Sequence, residues 1–350
     1  MNNYELISRR LHNQQLTKHK LHAPREIVSW MGAMQAQDYN MAKWGIGVRL
    51  TGITAQQVED AVNNGDIIRT HIMRPTWHFV STEDIHWLMQ LTAPRIKPIL
   101  FNYDKNVGFE KIPLRKVTDI VIKSLQGNKH LTRLELGKII NDAGIAITND
   151  QVGHVLFHAE LDRIVCNGRV INKKQTYGLL EEKVPDTGLF DKDEALGKLA
   201  AKYFGSHGPA TLQDFVWWSG LLLSEAKRAI EIIKPDFIFE EINSQTYIYS
   251  DAEYIHLSKN RAYLLPAFDE ILVSYKDRKE AVCAEYHPKV MTSNGIFRPF
   301  ILYNNQVIGS WKKQTSKNKT GVETEFFIPI SKILLKAVDM AIEGFVNYSS

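Results

Sequence analysis

The chain has 350 residues, of which 44% are hydrophobic and 23% are charged, with a formal net charge of +4. This length predicts two to four packed units, and no apolar run approaches the roughly 20 residues of a membrane span. The N-terminus lacks an apolar signal core, and Cys166 and Cys283 have no metal-ligand spacing. We therefore expect a cytoplasmic protein without membrane contact, and the charge permits nucleic-acid binding without requiring it.

The first 105 residues predict helices followed by a pair of strands. Apolar spacing indicates a helix before residue 12, and Pro24 opens a second helix whose apolar face ends at Met34. A third helix is predicted at residues 54–63. Residues 67–71 and 77–80 then have the composition of two strands.

The middle of the chain repeats this order more clearly. Residues 114–125 have the apolar spacing of a helix, and capping boxes starting at Thr132 and Thr148 open two more. Asn167-Gly168 lies between two apolar runs and predicts a hairpin turn, because both turn residues need positive φ. Three helices and a hairpin are typical of a winged helix-turn-helix.

The order returns a third time after residue 190. Residues 191–203 have a helical apolar stripe, and Thr211 and Ser224 are predicted to cap two further helices. Trp217 and Trp218 lie in the second of these helices, where we expect both to pack in the core.

After residue 261 the pattern changes to short β segments. An Asn243-Ser244 turn closes the preceding hairpin, Asn304-Asn305 is a second predicted turn, and a helix is predicted at 331–345. The predicted strands of this region are 271–275, 282–285, 300–303, 307–311 and 323–328. A small β-barrel-like unit fits this pattern.

The predicted fold is therefore α+β, with three tandem winged helix-turn-helix units followed by a small C-terminal β-barrel-like domain. The three winged-helix units are predicted at 1–105, 106–186 and 187–260, with the catalytic motif in the first, and the β-barrel-like domain with its terminal helix at 261–350. Winged helices also serve as protein-binding modules, but several in tandem favour binding along double-stranded DNA.

Several long strings carry a family resemblance, and they occur in collinear order. They are M-G-A-M-Q-A-Q-D (31–38), R-T-H-I-M-R-P-T-W-H-F-V (69–80), G-P-A-T-L-Q-D-F-V-W-W-S-G-L (208–221) and Y-L-L-P-A-F-D-E-I-L (263–272). The chain resembles the AlkZ and YcaQ winged-helix superfamily. The resemblance implies excision of N-alkylated bases from duplex DNA, including guanines in interstrand crosslinks. Gln35-Ala36-Gln37 matches the Gln-apolar-Gln motif of the AlkZ-like branch, and Asp38 lies outside it.

The resemblance places catalysis at Gln35 and Gln37. A glutamine amide is no general base, but it accepts a hydrogen bond from water and donates another. An N7-alkylated guanine is already cationic and needs no general acid, so positioning water and stabilising the sugar cation remain. Gln37 is predicted to hold the water and Gln35 to orient the sugar, although the two assignments are nearly interchangeable. The amides share a side only if the helix ends near Met34.

We predict a monofunctional glycosylase with no metal and no organic cofactor, and no protein partner can be inferred. A non-catalytic DNA-binding protein, such as a regulator, is the alternative, and a protein-binding scaffold is a third. Asp269 and Glu270 look like paired carboxylates, but a structural salt bridge with Arg278 or Arg298 is the favoured interpretation.

Basic residues in two places are candidates for DNA contact. Arg69, His71 and Arg74 surround the first predicted hairpin, whereas His78 is expected in the core. A second group follows the strand that ends at Trp311, where a solvated loop and a groove contact are equally favoured. Its members are Lys312, Lys313, Lys317 and Lys319.

Overall fold

The computed structural model describes residues 1–17, 20–250, 259–316 and 319–350. Its helices are α1 (Asn3–Asn13), α2 (Pro24–Met31), α3 (Tyr39–Gly47), α4 (Ala55–Asn64), α5 (Ile85–Asn106), α6 (Leu114–Leu125), α7 (Arg133–Asp142), α8 (Asn149–Leu161), α9 (Leu180–Lys183), α10 (Lys192–Ser206), α11 (Leu212–Ser219), α12 (Leu223–Ile233), α13 (Glu270–Val273), α14 (His287–Val290) and α15 (Lys332–Ser349). Its strands are β1 (Met34–Gln35), β2 (Ile67–His71), β3 (Trp77–Ser81), β4 (Val165–Asn167), β5 (Tyr177–Leu179), β6 (Ile238–Ile242), β7 (Gln245–Tyr249), β8 (Ala262–Leu265), β9 (Phe300–Tyr303), β10 (Gln306–Ser316) and β11 (Lys319–Phe326).

The fold is α+β, as predicted. Contacts divide it into two compact units, of which the first joins Met1–Val58 to Leu196–Ser350 and the second is Glu59–Ala195. The first unit is thus built from both ends of the chain. Within the ranges described, no helix combines the length and the hydropathy needed to cross a membrane.

The second unit contains α6, α7 and α8 around one hydrophobic core. Val117, Leu136, Val152 and Leu156 are fully buried in it, and Val165 of β4 packs against the same cluster. The capping boxes that begin at Thr132 and Thr148 are both present and define the first turns of α7 and α8. These three helix predictions are confirmed because each depends on local spacing and capping.

The predicted turn at Asn167-Gly168 is wrong. The positive-φ turn residues are Asn172 and Lys173, at 49° and 63°, and the Gly168 amide instead donates to the Thr176 carbonyl at 2.7 Å. A Cβ at Gly168 would lie only 2.2 Å from the Thr176 hydroxyl oxygen. Glycine is required there for close approach of two chain segments, which is the other common use of a glycine beside a strand.

The antiparallel hairpin of β2 and β3 also belongs to the second unit. Its register pairs Ile67 with Ser81 and His71 with Trp77, in agreement with the strands predicted from the sequence. At the end of β3 the Ser81 hydroxyl donates to the Asp84 carboxylate at 2.8 Å, directly before α5.

The first unit contains an antiparallel sheet with the order β11-β10-β9-β8. Two of the predicted strands do not form: residues 271–275 begin in the one-turn helix α13, and 282–285 are irregular. Asp269 causes the first difference, because its carboxylate accepts from the Ile271 amide and caps a helix. Among the residues described, the sheet is linear and a closed barrel is not confirmed.

Helices α11 and α12 and the β6–β7 hairpin complete the first unit. Asn243 and Ser244 form the predicted turn at positive φ, but α12 begins after Leu222 instead of after Ser224. Trp218 is buried, whereas the side chain of Trp217 is 42% exposed. The expectation of core packing is therefore wrong for Trp217, because consecutive helical residues point in different directions and only one faces the core.

Candidate active site

The Gln35-Ala36-Gln37 segment lies between two helices of the first unit. Helix α2 ends at Met31. The next residue, Gly32, adopts φ +78°, a conformation that residues with a side chain rarely adopt. Asp38 then caps α3 by accepting from the Met41 amide at 3.0 Å. The helix therefore stops before the motif, three residues earlier than the predicted end near Met34.

The two glutamines lie in different environments. Gln35 belongs to β1 and is only 8% exposed, whereas Gln37 is exposed at a bend that precedes α3. The chain is thus extended through Gln35 and bends at Gln37. An extended backbone is what allows the side chains of residues two apart to point to the same side. Whether the two amides converge on one reacting atom stays a prediction.

The carboxylate of Glu270 holds the backbone of Gln35. One oxygen, Oε1, accepts from the Gln35 amide at 2.6 Å. The other, Oε2, accepts a short hydrogen bond from the Ser274 hydroxyl and lies 3.6 Å from Nε2 of His207. All of these groups are buried in the first unit.

Glu270 is ionised despite its burial. Burial by itself would raise the pKa of Glu270, but the His207 imidazole, the Ser274 hydroxyl and the Gln35 amide favour the carboxylate and bring its pKa down to about 2. Burial lowers the pKa of His207, against the attraction of Glu270. At neutral pH a buried negative charge therefore lies next to the Gln35 amide of the motif.

Asp269, the neighbouring residue, is paired with Arg49. The guanidinium donates to both Asp269 oxygens, at 2.9 and 3.0 Å, and neither side chain is exposed. It also donates to the Gly45 carbonyl at 2.7 Å and to the Gln14 side chain at 3.0 Å. The predicted salt bridge with Arg278 or Arg298 is wrong, because a nearer, bidentate partner comes from the start of the chain.

The one-turn helix α13 depends on side chains for its last carbonyls. Arg278 donates to the Leu272 carbonyl at 2.6 Å, and the Trp217 indole donates to the Val273 carbonyl at 3.0 Å. The Tyr203 hydroxyl donates to the Ser274 carbonyl at 3.0 Å. So short a helix has few intrahelical bonds, and these donors satisfy its free carbonyl groups.

In the second unit, the basic residues of the β2–β3 hairpin are largely covered. Arg69 is 8% exposed and its guanidinium lies 4.2 Å from the Trp77 ring centroid. His71 stacks on Phe157 with centroids 3.7 Å apart and makes a short hydrogen bond to Glu160. Arg74 is half-buried in the loop.

His78 is buried, as expected for a core histidine, and its Nδ1 lies 2.9 Å from the Thr76 carbonyl. It therefore offers no surface for DNA contact.

The described members of the second basic group, Lys312, Lys313 and Lys319, lie on strands instead of on a loop. Strands β10 and β11 pair from Gly309–Phe326 to Ser316–Lys319, so the hairpin extends beyond the predicted end at Trp311. Lys312 lies 2.9 Å from the Glu323 carboxylate, and Lys313 is exposed. Lys317 lies outside the described residues, and Lys319 is the first residue of β11.

A family model described as DNA glycosylase AlkZ-like matches residues 28–348. The chain belongs to the AlkZ-like family of DNA glycosylases. An interstrand DNA cross-link repair glycosylase of Streptomyces sahachiroi is 22% identical over 333 residues, which cover 88% of this chain and 87% of the relative. The solved structure of the Streptomyces sahachiroi DNA glycosylase AlkZ has the same fold, with a TM-score of 0.80, 18% identity, and coverage of 99% of this chain and 96% of that one.

Sequence reasoning missed the residues that support the motif of this AlkZ-like chain. Glu270 was recognised only as half of an acidic pair, and Ser274, His207 and Arg49 were not singled out. One signal was available: Asp269 and Glu270 lie between apolar residues on both sides, and a carboxylate in such a place needs a buried partner. Among the residues described, no cluster of three or more His, Cys, Asp or Glu side chains is arranged to hold a metal ion.

We expect Arg49→Met to destabilise the protein strongly. The change leaves Asp269 as a buried carboxylate without its cation, and breaking such a pair costs about 3–5 kcal/mol. Denaturant unfolding followed by circular dichroism measures the loss. Lys234→Met removes an exposed partner of Glu231 and serves as the control, with an expected loss below about 1 kcal/mol. Similar losses in the two variants would contradict the assignment.

The low pKa of Glu270 predicts acid sensitivity of a defined kind. Its pKa falls from an ordinary 4.5 to about 2 on folding, so its stabilising effect is complete above pH 4.5 and is lost as the pH falls toward 2. The maximum effect is on the order of 3 kcal/mol. Between pH 2 and pH 4.5, the free energy of unfolding of Glu270→Gln should therefore change less with pH than that of the unmodified protein. Parallel curves would show that the carboxylate does not titrate in this window.

Proposed function

We propose that the chain hydrolyses the N-glycosidic bond of N-alkylated, cationic purines such as N7-alkylguanine in duplex DNA. The observation that carries the proposal is the Gln35-Ala36-Gln37 segment, in a member of a DNA glycosylase family, outside any helix and with Gln37 exposed. The Streptomyces sahachiroi relative is named as an interstrand cross-link repair glycosylase. Crosslinked guanines therefore belong to the proposed substrate class.

The chemistry suits a pair of amides. The N9–C1′ bond breaks and its electron pair passes to the base, which loses its positive charge and leaves neutral. Water adds to C1′ and gives up a proton to solvent, so the products are an abasic site and the alkylated base. In this scheme the exposed Gln37 holds the water, and the mostly buried Gln35 orients the sugar.

The same proposal includes the finer architecture. Three helices followed by a hairpin recur as α6–α8 with β4–β5, and as α10–α12 with β6–β7. We interpret these sets, together with the N-terminal helices and β2–β3, as tandem winged helices that bind duplex DNA. The C-terminal sheet is the counterpart of the predicted barrel.

Among the basic residues, we assign contact with DNA to those whose side chains are at least partly exposed. Arg74 in the β2–β3 loop and Lys313 on β10 offer partly or fully exposed cations to phosphates. Arg69 and His71 pack against Trp77 and Phe157. We therefore give them a supporting role in the hairpin.

We expect Gln37→Ala to reduce excision of 7-methylguanine by about 100-fold, and Gln35→Ala by a similar factor, as for the loss of one preorganised polar group. The measurement is single-turnover release of the free base, quantified by mass spectrometry, together with affinity for undamaged duplex, which should be unchanged. Gln126→Ala alters an exposed glutamine of the second unit and is the matched control. Wild-type excision rates in both motif variants would refute this site.

We expect a monofunctional reaction, in which the DNA strand is cleaved only after alkali is added. Borohydride should then trap no covalent protein–DNA product. Trapping would instead indicate a Schiff base. Tight duplex binding without base release would favour the alternative, a non-catalytic DNA-binding protein.

The β10–β11 hairpin yields a prediction about salt. Lys313→Ala should lower the slope of log affinity against log salt by about 1, as for one lost phosphate contact. Lys312→Ala should have a smaller effect, because Glu323 already neutralises that cation. Glu323→Ala should tighten binding. Fluorescence anisotropy over a salt series tests all three, and equal slopes in every variant would exclude the hairpin from the interface.

A further inference from the structure

The Asp269-Glu270 dipeptide contacts the motif directly at Gln35 and, through Arg49, the helix that follows the motif. The Glu270 carboxylate accepts a hydrogen bond from the backbone amide of Gln35, the first residue of the motif, at 2.6 Å. Asp269 pairs with Arg49, which also donates to the Gly45 carbonyl in α3, the helix that follows the motif. The chain is thus attached at Gln35, within the motif, and at Arg49, just after α3, to two consecutive residues more than 200 positions away in sequence.

From this arrangement we infer that Glu270 is the positioning residue of the Gln35-Ala36-Gln37 segment, which its carboxylate holds through the Gln35 amide. The inference rests on the proposed function for its catalytic consequence. It assigns Glu270 no contact with the substrate, because both carboxylate oxygens are engaged by buried protein donors.

A carboxylate is suited to this task for a physical reason. Hydrogen bonds to a charged acceptor are roughly twice as strong as neutral ones, and burial keeps water from competing for the Gln35 amide. The carboxylate is itself oriented by the Ser274 hydroxyl, and Nε2 of His207 lies 3.6 Å from it. Ser274 follows α13, whose last carbonyls are held by Arg278 and Trp217. The support under Gln35 is therefore rigid.

Rigid support matters for this reaction in particular. Amide side chains act by the position of their atoms and not by proton transfer, and a displacement of about 1 Å can cost on the order of 100-fold in rate. A residue that sets the backbone of Gln35 should thus affect the rate of excision more than the affinity for DNA.

The first arm of the test is independent of activity. With selective glutamine ¹⁵N labelling, exchange of the Gln35 amide proton is followed by NMR in the unmodified protein and in Glu270→Ala. We expect exchange at least about tenfold faster in the variant, since a charge-assisted hydrogen bond is lost. The Gln126 amide, which donates to the Ile122 carbonyl at 3.1 Å in the second unit, is the reference and should be unchanged.

The second arm measures excision. Single-turnover release of 7-methylguanine should fall about 100-fold in Glu270→Ala while duplex affinity is retained, and Glu270→Gln should recover most of the rate because its amide oxygen still accepts from Gln35. Ser274→Ala, a milder change that leaves the carboxylate in place, should give an intermediate rate. It also keeps the test open if Glu270→Ala does not fold.

Ser8→Ala controls for simple loss of stability. It removes a buried hydrogen bond to Asn305, at 2.6 Å, far from the motif in sequence. Equal rate losses in Ser8→Ala and in Glu270→Ala would overturn the inference, as would an unchanged Gln35 exchange rate in Glu270→Ala. If the unmodified protein releases no base but Gln35 exchange accelerates, the positioning contact stands and the proposed function fails.

Discussion

Two adjacent carboxylates, Asp269 and Glu270, are buried in the first unit, and the organisation of the site follows from the need to compensate them. A carboxylate removed from water is costly unless cations or several donors surround it. Arg49 meets this need for Asp269, and Ser274, His207 and the Gln35 amide meet it for Glu270. Because Arg49, His207 and Gln35 lie far from the two carboxylates in sequence, compensating these charges joins distant parts of the chain at the candidate catalytic segment.

This arrangement suits a reaction whose leaving group already carries a positive charge. Such a reaction needs no strong acid or base, so the residues with unusual ionisation need not touch the substrate. Glu270 is ionised and fully engaged, while the glutamines proposed to act have no pKa to adjust. The buried charge is thus separate from the polar groups that are proposed to contact the substrate.

The local part of the fold could be predicted well. Helices α6 to α8 were predicted from capping boxes and apolar spacing, both of which act within a few residues. The strand prediction at 271–275 is wrong for a local reason, because Asp269 caps a helix there. The predicted turn failed because contact between chain segments decides it: Gly168 serves a close approach to Thr176 instead of a turn. Propensity carries no information about such contacts.

For the site, the sequence by itself determined the motif, its family resemblance and the requirement that a helix end before Gln35, since those depend on neighbouring residues. Only the tertiary structure decided that Gln35 is buried while Gln37 is exposed, that Glu270 accepts from the Gln35 amide, and that Arg49 pairs with Asp269. The reason is that charge pairing in a protein interior depends on distance in space. Arg49 and Asp269 are 220 positions apart in the chain, and Gln35 and Glu270 are 235 positions apart, yet each pair is in contact. No local sequence pattern indicates which partners such residues have.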